Sequence, residues 1–258
     1  MASTPHPGRP SAGRLSDRRR AFFAAMLLAA VGLSGCQGIT STSAQLRVID
    51  ASPDAGVIDS YQNSSALAYN LGFGTMTSYI PMSPGVYNLA AEKAGTRQTL
   101  VASTETLAAN RQYTEIIGAG LANLQQTLLL DQSTPAPSGR IALRVINQTT
   151  RSGAVDVYLV PLASTLGKGS SSPLAINLGF GANSGYIDLP EGTYAIDVVP
   201  SGTLLTPSTV TLFSGAQIAY ASGAVRTVVL IDQAASGAQH ATVTPGVQAI
   251  VAEDADAQ

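Results

Sequence analysis

Nucleophiles, bases and metal ligands are scarce in this chain of 258 residues, which has two histidines, His6 and His240, and one cysteine, Cys36. An imidazole base must stand within hydrogen-bond reach of its nucleophile, and a zinc site draws on several His or Cys ligands. His6 lies in a segment laid out like an export signal, and His240 lies beyond the second of two repeats, so a base would have to be recruited from a tail and His or Cys ligands are too few for zinc. Carboxylates are more numerous. Asp50, Asp54 and Asp59 could offer oxygens to calcium, but their spacing is not that of a calcium loop, and the first two become Asn147 and Arg151 in the second repeat. Asp54 with Ala55 and Gly56 reads as a turn, since aspartate bonds its own backbone in turns. Asp59 and Asp156 each precede a tyrosine by two positions. They read as solvent-side strand residues, or as carboxylates bonded to loop backbone, more readily than as catalysts. No carboxylate pair suited to glycoside hydrolysis stands out. The expectation is a chain without catalytic, metal or cofactor residues, and not an enzyme.

Cys36 has a different chemistry. Arg14, Arg18, Arg19 and Arg20 precede the uncharged apolar run 21–33, too short for a comfortable membrane span, and this is the layout of a secretory signal. The run ends in Leu33-Ser34-Gly35-Cys36, which resembles the lipobox of bacterial lipoproteins. That resemblance implies cleavage before Cys36, acylation of its sulfur, and a membrane partner held through acyl chains. Gln37, not aspartate, follows the cysteine, which resembles the sequence permitting transfer to the outer membrane of a two-membrane bacterium. Arg19-Arg20 before Ala21-Phe22-Phe23 looks like a twin-arginine export signature, although the general secretory route fits the basic segment equally. One acyl chain binds marginally, whereas two or three hold durably. The eight residues from Gln37 to Ala44 span at most about 3.5 Å each, which keeps the first strand within roughly 30 Å of the lipid.

The elements that must position any site come in duplicate. NLGFGTMTSYIPMSPGVYNLA (70–90) returns as NLGFGANSGYIDLPEGTYAID (177–197), and LRVIDASPDAGVIDSY (46–61) as LRVINQTTRSGAVDVY (143–158), both without gaps. TLLLDQ (127–132) and VVLIDQ (228–233) look like matching ends. The expected organisation is a signal peptide (1–35), a tether (36–43), repeat 1 (44–132), a linker (133–139), repeat 2 (140–233) and a tail (234–258) that adds a strand or stays mobile. Within each repeat, short runs rich in Val, Ile, Thr and Tyr recur about every ten residues between Gly, Pro, Asn or Ser. The least clear segment, 118–126, fits a turn or a short helix. The expected fold is all-β, with two tandem immunoglobulin-like antiparallel β-sandwich domains.

Four aromatic residues are expected to serve that fold. Tyr87 and Tyr194 each follow a glycine by two residues and resemble the tyrosine corner of immunoglobulin-like sandwiches, whose hydroxyl bonds nearby backbone. Phe73 and Phe180, flanked by glycines, fit a tight connection pinned by one buried ring. A phosphate-cradling loop is disfavoured there, because no lysine follows and no helix opens.

ASPDAGVIDSY (51–61) with the LGFG and SYIPMSPGVYNL that follow resembles the repeat of a bacterial family, domain of unknown function 4397, whose members carry such modules behind secretion or lipoprotein signals. Asp50 stands where that family often has histidine, and repeat 2 replaces Ser-Pro-Asp with Thr149-Thr150-Arg151. The resemblance implies a fold and no activity.

Composition narrows the partners. From Cys36 onward nine Lys or Arg face fifteen Asp or Glu, six net negative charges, and such a surface repels phosphate backbones. Nucleic acid is not an expected partner. With no cysteine pair, burial and strand pairing must stabilise the domains unaided. The expected role is a lipid-anchored cell-envelope protein in structure, adhesion or interaction, its partner an envelope protein or a glycan. The alternative is a periplasmic or surface binding protein for a small molecule or glycan, with its site between the domains.

Overall fold

The computed structural model describes residues 1–2, 42–167, 172–206, 208–234 and 246–256. Cys36, both histidines and the export segment beyond its first two residues lie outside these. From Thr42 onward the chain forms one compact unit.

Repeat 1 contributes β1 (Ala44–Asp50), β2 (Ile58–Gln62), β3 (Ser65–Leu71), β4 (Ile80–Met82), β5 (Gly85–Lys93), β6 (Thr99–Leu107), β7 (Gln112–Gly118) and β8 (Gln125–Asp131). They build two four-stranded sheets, ordered β4-β1-β7-β8 and β3-β2-β5-β6. Repeat 2 contributes β9 (Arg140–Asn147), β10 (Val155–Pro161), β11 (Ser172–Leu178), β12 (Ile187–Pro190), β13 (Gly192–Pro200), β14 (Phe213–Ser214), β15 (Ile218–Tyr220), β16 (Val225–Asp232) and β17 (Val247–Ala255). Its sheets run β12-β9-β16-β17 and β11-β10-β13-β14, with β15 also on β13. Each repeat is a β-sandwich. The pairing is antiparallel except for β1 with β7 and β9 with β16, which are parallel. The eight-strand order of repeat 1 departs in detail from the seven-strand immunoglobulin constant type, because the first strand sits between the fourth and the seventh.

The apparent match of TLLLDQ with VVLIDQ is not structural. TLLLDQ lies on β8, whereas VVLIDQ ends β16, the counterpart of β7. The counterpart of β8 is β17, the strand that the segment after repeat 2 was expected to add as one of its two readings, and it pairs with β16 along its length. Strands are short apolar runs bounded by turn residues, so six similar letters do not by themselves establish structural correspondence. In the 118–126 segment, a single 3-10 turn at Leu121–Asn123 leads into β8.

Side-chain alternation explains how the sandwiches join. On β1, Leu46 and Val48 enter the core of repeat 1 with Ile58, Leu89 and Leu107. On β9, Leu143 and Val145 enter the core of repeat 2 with Val157, Val198 and Leu230. The residues in between point outward, yet they too are buried. Ile49 and Ile116 of repeat 1 form a third apolar cluster with Ile146, Val229 and Ile231 of repeat 2. The outer face of each β1 or β9 sheet is therefore covered by the other repeat. Two cores persist, joined by a shared layer.

Candidate functional site

A buried ionic centre occupies the shared layer, and its parts appear twice. Arg47 on β1 donates from Nε and Nη2 to Thr114 Oγ1 at 3.1 and 2.7 Å, and from Nη2 to Asp254 Oδ1 of repeat 2 at 2.6 Å. Arg144 on β9 donates to Thr227 Oγ1 at 3.0 and 2.8 Å and to Asp131 Oδ1 of repeat 1 at 2.5 Å. The threonines pass the link on: Thr114 donates to Asp131 and Thr227 to Asp254, both at 2.6 Å. Tyr79 and Tyr186 close the centre, donating to Asp131 at 2.8 Å and to Asp254 at 3.0 Å. Their rings lie under Arg47 and Arg144 at 4.6 and 4.5 Å. Burial, and then the nearby aspartates, push both phenols above their usual range, so both remain proton donors.

Two cations meet two anions here, each arginine paired across the repeat boundary and almost wholly removed from water. Burying an ion pair contributes little net stability, but removing one member leaves an uncompensated buried charge. The arrangement specifies register between the sandwiches. Sequence reading missed these residues, although a signal was present. Arg47 and Arg144 each interrupt an apolar strand at the same place, and Tyr79 and Tyr186 recur in the gapless match.

The duplicated NLGFG tract has a local cause. Asp59 Oδ1 accepts from the Asn70 N–H at 2.8 Å and Oδ2 from the Gly95 N–H at 3.0 Å. Asp156 repeats this with Asn177 at 2.7 Å and Gly202 at 2.9 Å. Asn70 and Asn177 take φ of 55° and 53°, a left-handed conformation that asparagine tolerates. Asp59 and Asp156 are buried staples that fix two loops to a strand. Asp54 does not cap its own turn: Ser52 Oγ accepts from Ala55 N–H there, while Asp54 Oδ1 accepts from Leu121 N–H at 2.7 Å.

Tyr87 donates to the Ser83 carbonyl at 2.7 Å and Tyr194 to the Pro190 carbonyl at 3.1 Å, four residues upstream in each case. A Cβ on Gly192 would stand 3.2 Å from the Tyr194 ring, which is why a glycine sits two residues before it. The phenylalanines differ from each other and from the expected buried pin. Phe73 packs on the layer between the repeats, whereas Phe180 is 38% exposed. The correction follows from the interface, which covers the loop of repeat 1. A Cβ on Gly74 would meet Gln248 and Ile231 of repeat 2, while nothing stands near Gly181.

Two carboxyls of repeat 1 are unusual. Asp50 is fully buried, Oδ1 accepting from Ser52 N–H at 3.0 Å and Oδ2 without a hydrogen-bond partner among the described residues. Glu115 is also buried, bonded from Gln126 through Oε1, with Oε2 unpartnered. Burial pushes each up to about 7. The corresponding residues of repeat 2 are Asn147 and Val228.

Two surface features remain. On the outer sheet of repeat 1, Asp59, Tyr61, Tyr69, Asn70, Thr96 and Arg97 line an open depression of about 500 Å³. Tyr69 is 65% exposed, its ring edge-to-face with Tyr61 at 6.2 Å, and Arg97 lies 5.1 Å over the Tyr61 ring. At the junction of the repeats, Arg47, Met76, Tyr79, Val251 and Glu253 border a groove of about 460 Å³. Arg47 and Tyr79 already spend their polar groups on the ionic centre.

The family model described as domain of unknown function (DUF4397) matches residues 44–158, which span repeat 1 and the first strands of repeat 2. No curated protein matches the chain. Among solved structures, the chain is similar to the carbohydrate-binding module CBMbc (family CBM26) of Eubacterium rectale Amy13K, crystallised with maltoheptaose. Identity is 9% and the TM-score 0.24, over 82% of this chain and 96% of that one. It is also similar to the Bacillus anthracis TIE protein, at 8% identity and a TM-score of 0.22, over 73% of this chain and 35% of that one. A third is described as a cell adhesion protein of Bacteroides fragilis NCTC 9343, at 7% identity and a TM-score of 0.22, over 81% of this chain and 97% of that one. The fold assignment rests on strand pairing, not on these likenesses.

Proposed function

We propose that this is a lipid-anchored cell-envelope protein whose role is interaction rather than catalysis, and that repeat 1 carries the recognition face. The observation behind this reading is the Tyr61–Tyr69–Arg97 depression, where an exposed ring and a cation without an ion-pair partner among the described residues share an open surface. At equivalent positions repeat 2 has Tyr158, Ile176 and Leu204, the last two 63% and 83% exposed. The two repeats thus present different chemistry on a common frame. Cys36 would hold the protein at the membrane, in our reading the outer membrane, and the short tether would keep repeat 1 near the lipid. A photo-crosslinking residue at Thr96 tests the face in intact cells. We expect a discrete captured species that disappears with Tyr69→Ala/Arg97→Ala; capture indifferent to those side chains refutes the reading.

A glycan is the second reading for the same face, because an exposed tyrosine ring suits the apolar side of a sugar while Arg97 and Asn70 suit its hydroxyls. Saccharide capture on a glycan array, lost with Tyr69→Ala, would favour it over a protein partner.

A further inference from the structure

Repeat 2 departs from repeat 1 at one sheet edge. In repeat 1 the strand beside β5 is β6, unbroken over Thr99–Leu107. In repeat 2 the strand beside β13 is split into β14 and β15 by residues 215–217. Gly215 N–H still bonds the Ile196 carbonyl at 2.9 Å, so the edge is interrupted rather than lost. Between this edge and β17 of the facing sheet lies a cleft of about 190 Å³.

Its walls come from both sheets: Ile196, Phe213 and Ile218 on one side, Ala249 and Val251 on the other. No lining residue is charged. The one lining residue with a polar side chain is Tyr220, 5% exposed, whose hydroxyl oxygen has no hydrogen-bond partner among the described residues. Burial pushes this phenol upward, which keeps it a donor. Buried hydroxyls are nearly always partnered, and a lone one beside an apolar space is an anchoring point for a guest. An apolar cavity of roughly 150 Å³ accommodates benzene, so this one admits a ring with a small substituent.

We infer that the cleft between β14–β15 and β17 binds a small, neutral, largely apolar molecule, an aromatic or alicyclic ring bearing one oxygen acceptor for the Tyr220 hydroxyl. This site is separate from the repeat 1 face and stands or falls independently of it.

Acetophenone, a ring with one carbonyl, is the probe, and ethylbenzene is its counterpart without an acceptor. The full chain carrying Cys36→Ala is titrated with each while methyl resonances are followed. The expected result is saturable acetophenone binding with contacts from the probe to the Ile218 and Val251 methyls. Tyr220→Phe should weaken acetophenone about tenfold and leave ethylbenzene unchanged, since only the hydrogen bond is removed. Absence of saturable binding to the unsubstituted cleft overturns the inference, as does saturation without contacts to Ile218 and Val251. Equal acetophenone affinity in the Tyr220→Phe variant also overturns it.

Discussion

Asp50→Asn should stabilise the protein, and only above mildly acidic pH. Repeat 2 shows what the position accommodates. Asn147 accepts from Thr149 N–H through Oδ1 at 2.9 Å and donates from Nδ2 to the Leu178 carbonyl at 2.8 Å. Asp50 reproduces the first bond with Ser52 N–H, but its Oδ2 can donate only when protonated. Burial raises its pKa from 3.8 to about 7. Between those values the folded state binds more protons than the unfolded state, so stability falls as pH rises from about 4 to about 7 and then levels off. A shift of about three pK units corresponds to a loss on the order of 4 kcal/mol at pH 8. Asparagine cannot ionise and should escape that loss. Urea unfolding at closely spaced pH values from 4.5 to 8.5 measures it. We expect curves for wild type and variant that converge near the acidic end and separate by several kcal/mol near pH 8. Glu115, raised from 4.5 to about 7 in the same way, should leave the single variant with a residual fall that Glu115→Gln removes. A separation that is constant across the range would refute the claim that Asp50 is held neutral by its surroundings.

Arg47→Met should cost about 3–5 kcal/mol by stranding Asp254, and adding Asp254→Leu should restore much of it; a double-mutant cycle in urea checks the coupling. Gly74→Ala should be more destabilising than Gly181→Ala. Both positions have positive φ, worth about 1 kcal/mol against alanine, but only Gly74 would also press on Gln248 and Ile231, a difference visible in Tm. Cys36→Ala should move the protein from the membrane fraction to the soluble fraction; retention in the membrane fraction would refute acyl anchoring.

Much of the fold was readable because β-sandwich physics is local. Alternating Val, Ile and Tyr between turn residues identified the strands, and gapless repetition identified the duplication. For the last strand the sequence left two readings, an added strand or a mobile tail, because β16 and β17 are separated by a long connection that breaks the spacing seen elsewhere; the pairing with β16 selects the first. The meeting of the sandwiches was hidden for another reason. A strand with both faces covered looks like a continuous apolar run, and LRVI carries no mark of which neighbour covers its outer side. Arg47 and Arg144 were the clue, since a cation inside such a run must find an anion, but Asp254 lies 207 positions from Arg47. Asp59 and Asp156 were within reach of sequence reading because all their partners lie within the same repeat, 11 and 36 positions away for Asp59 and 21 and 46 for Asp156.

The reciprocal pairing of Arg47 with Asp254 and of Arg144 with Asp131 is the pattern of a twofold homodimer written into a single polypeptide. Each half supplies both the key and the lock, so a lone module with these residues would be complementary to its own twin. Covalent fusion frees that union from dilution. It also lets the two halves diverge on their outward surfaces while the contact between them stays symmetric.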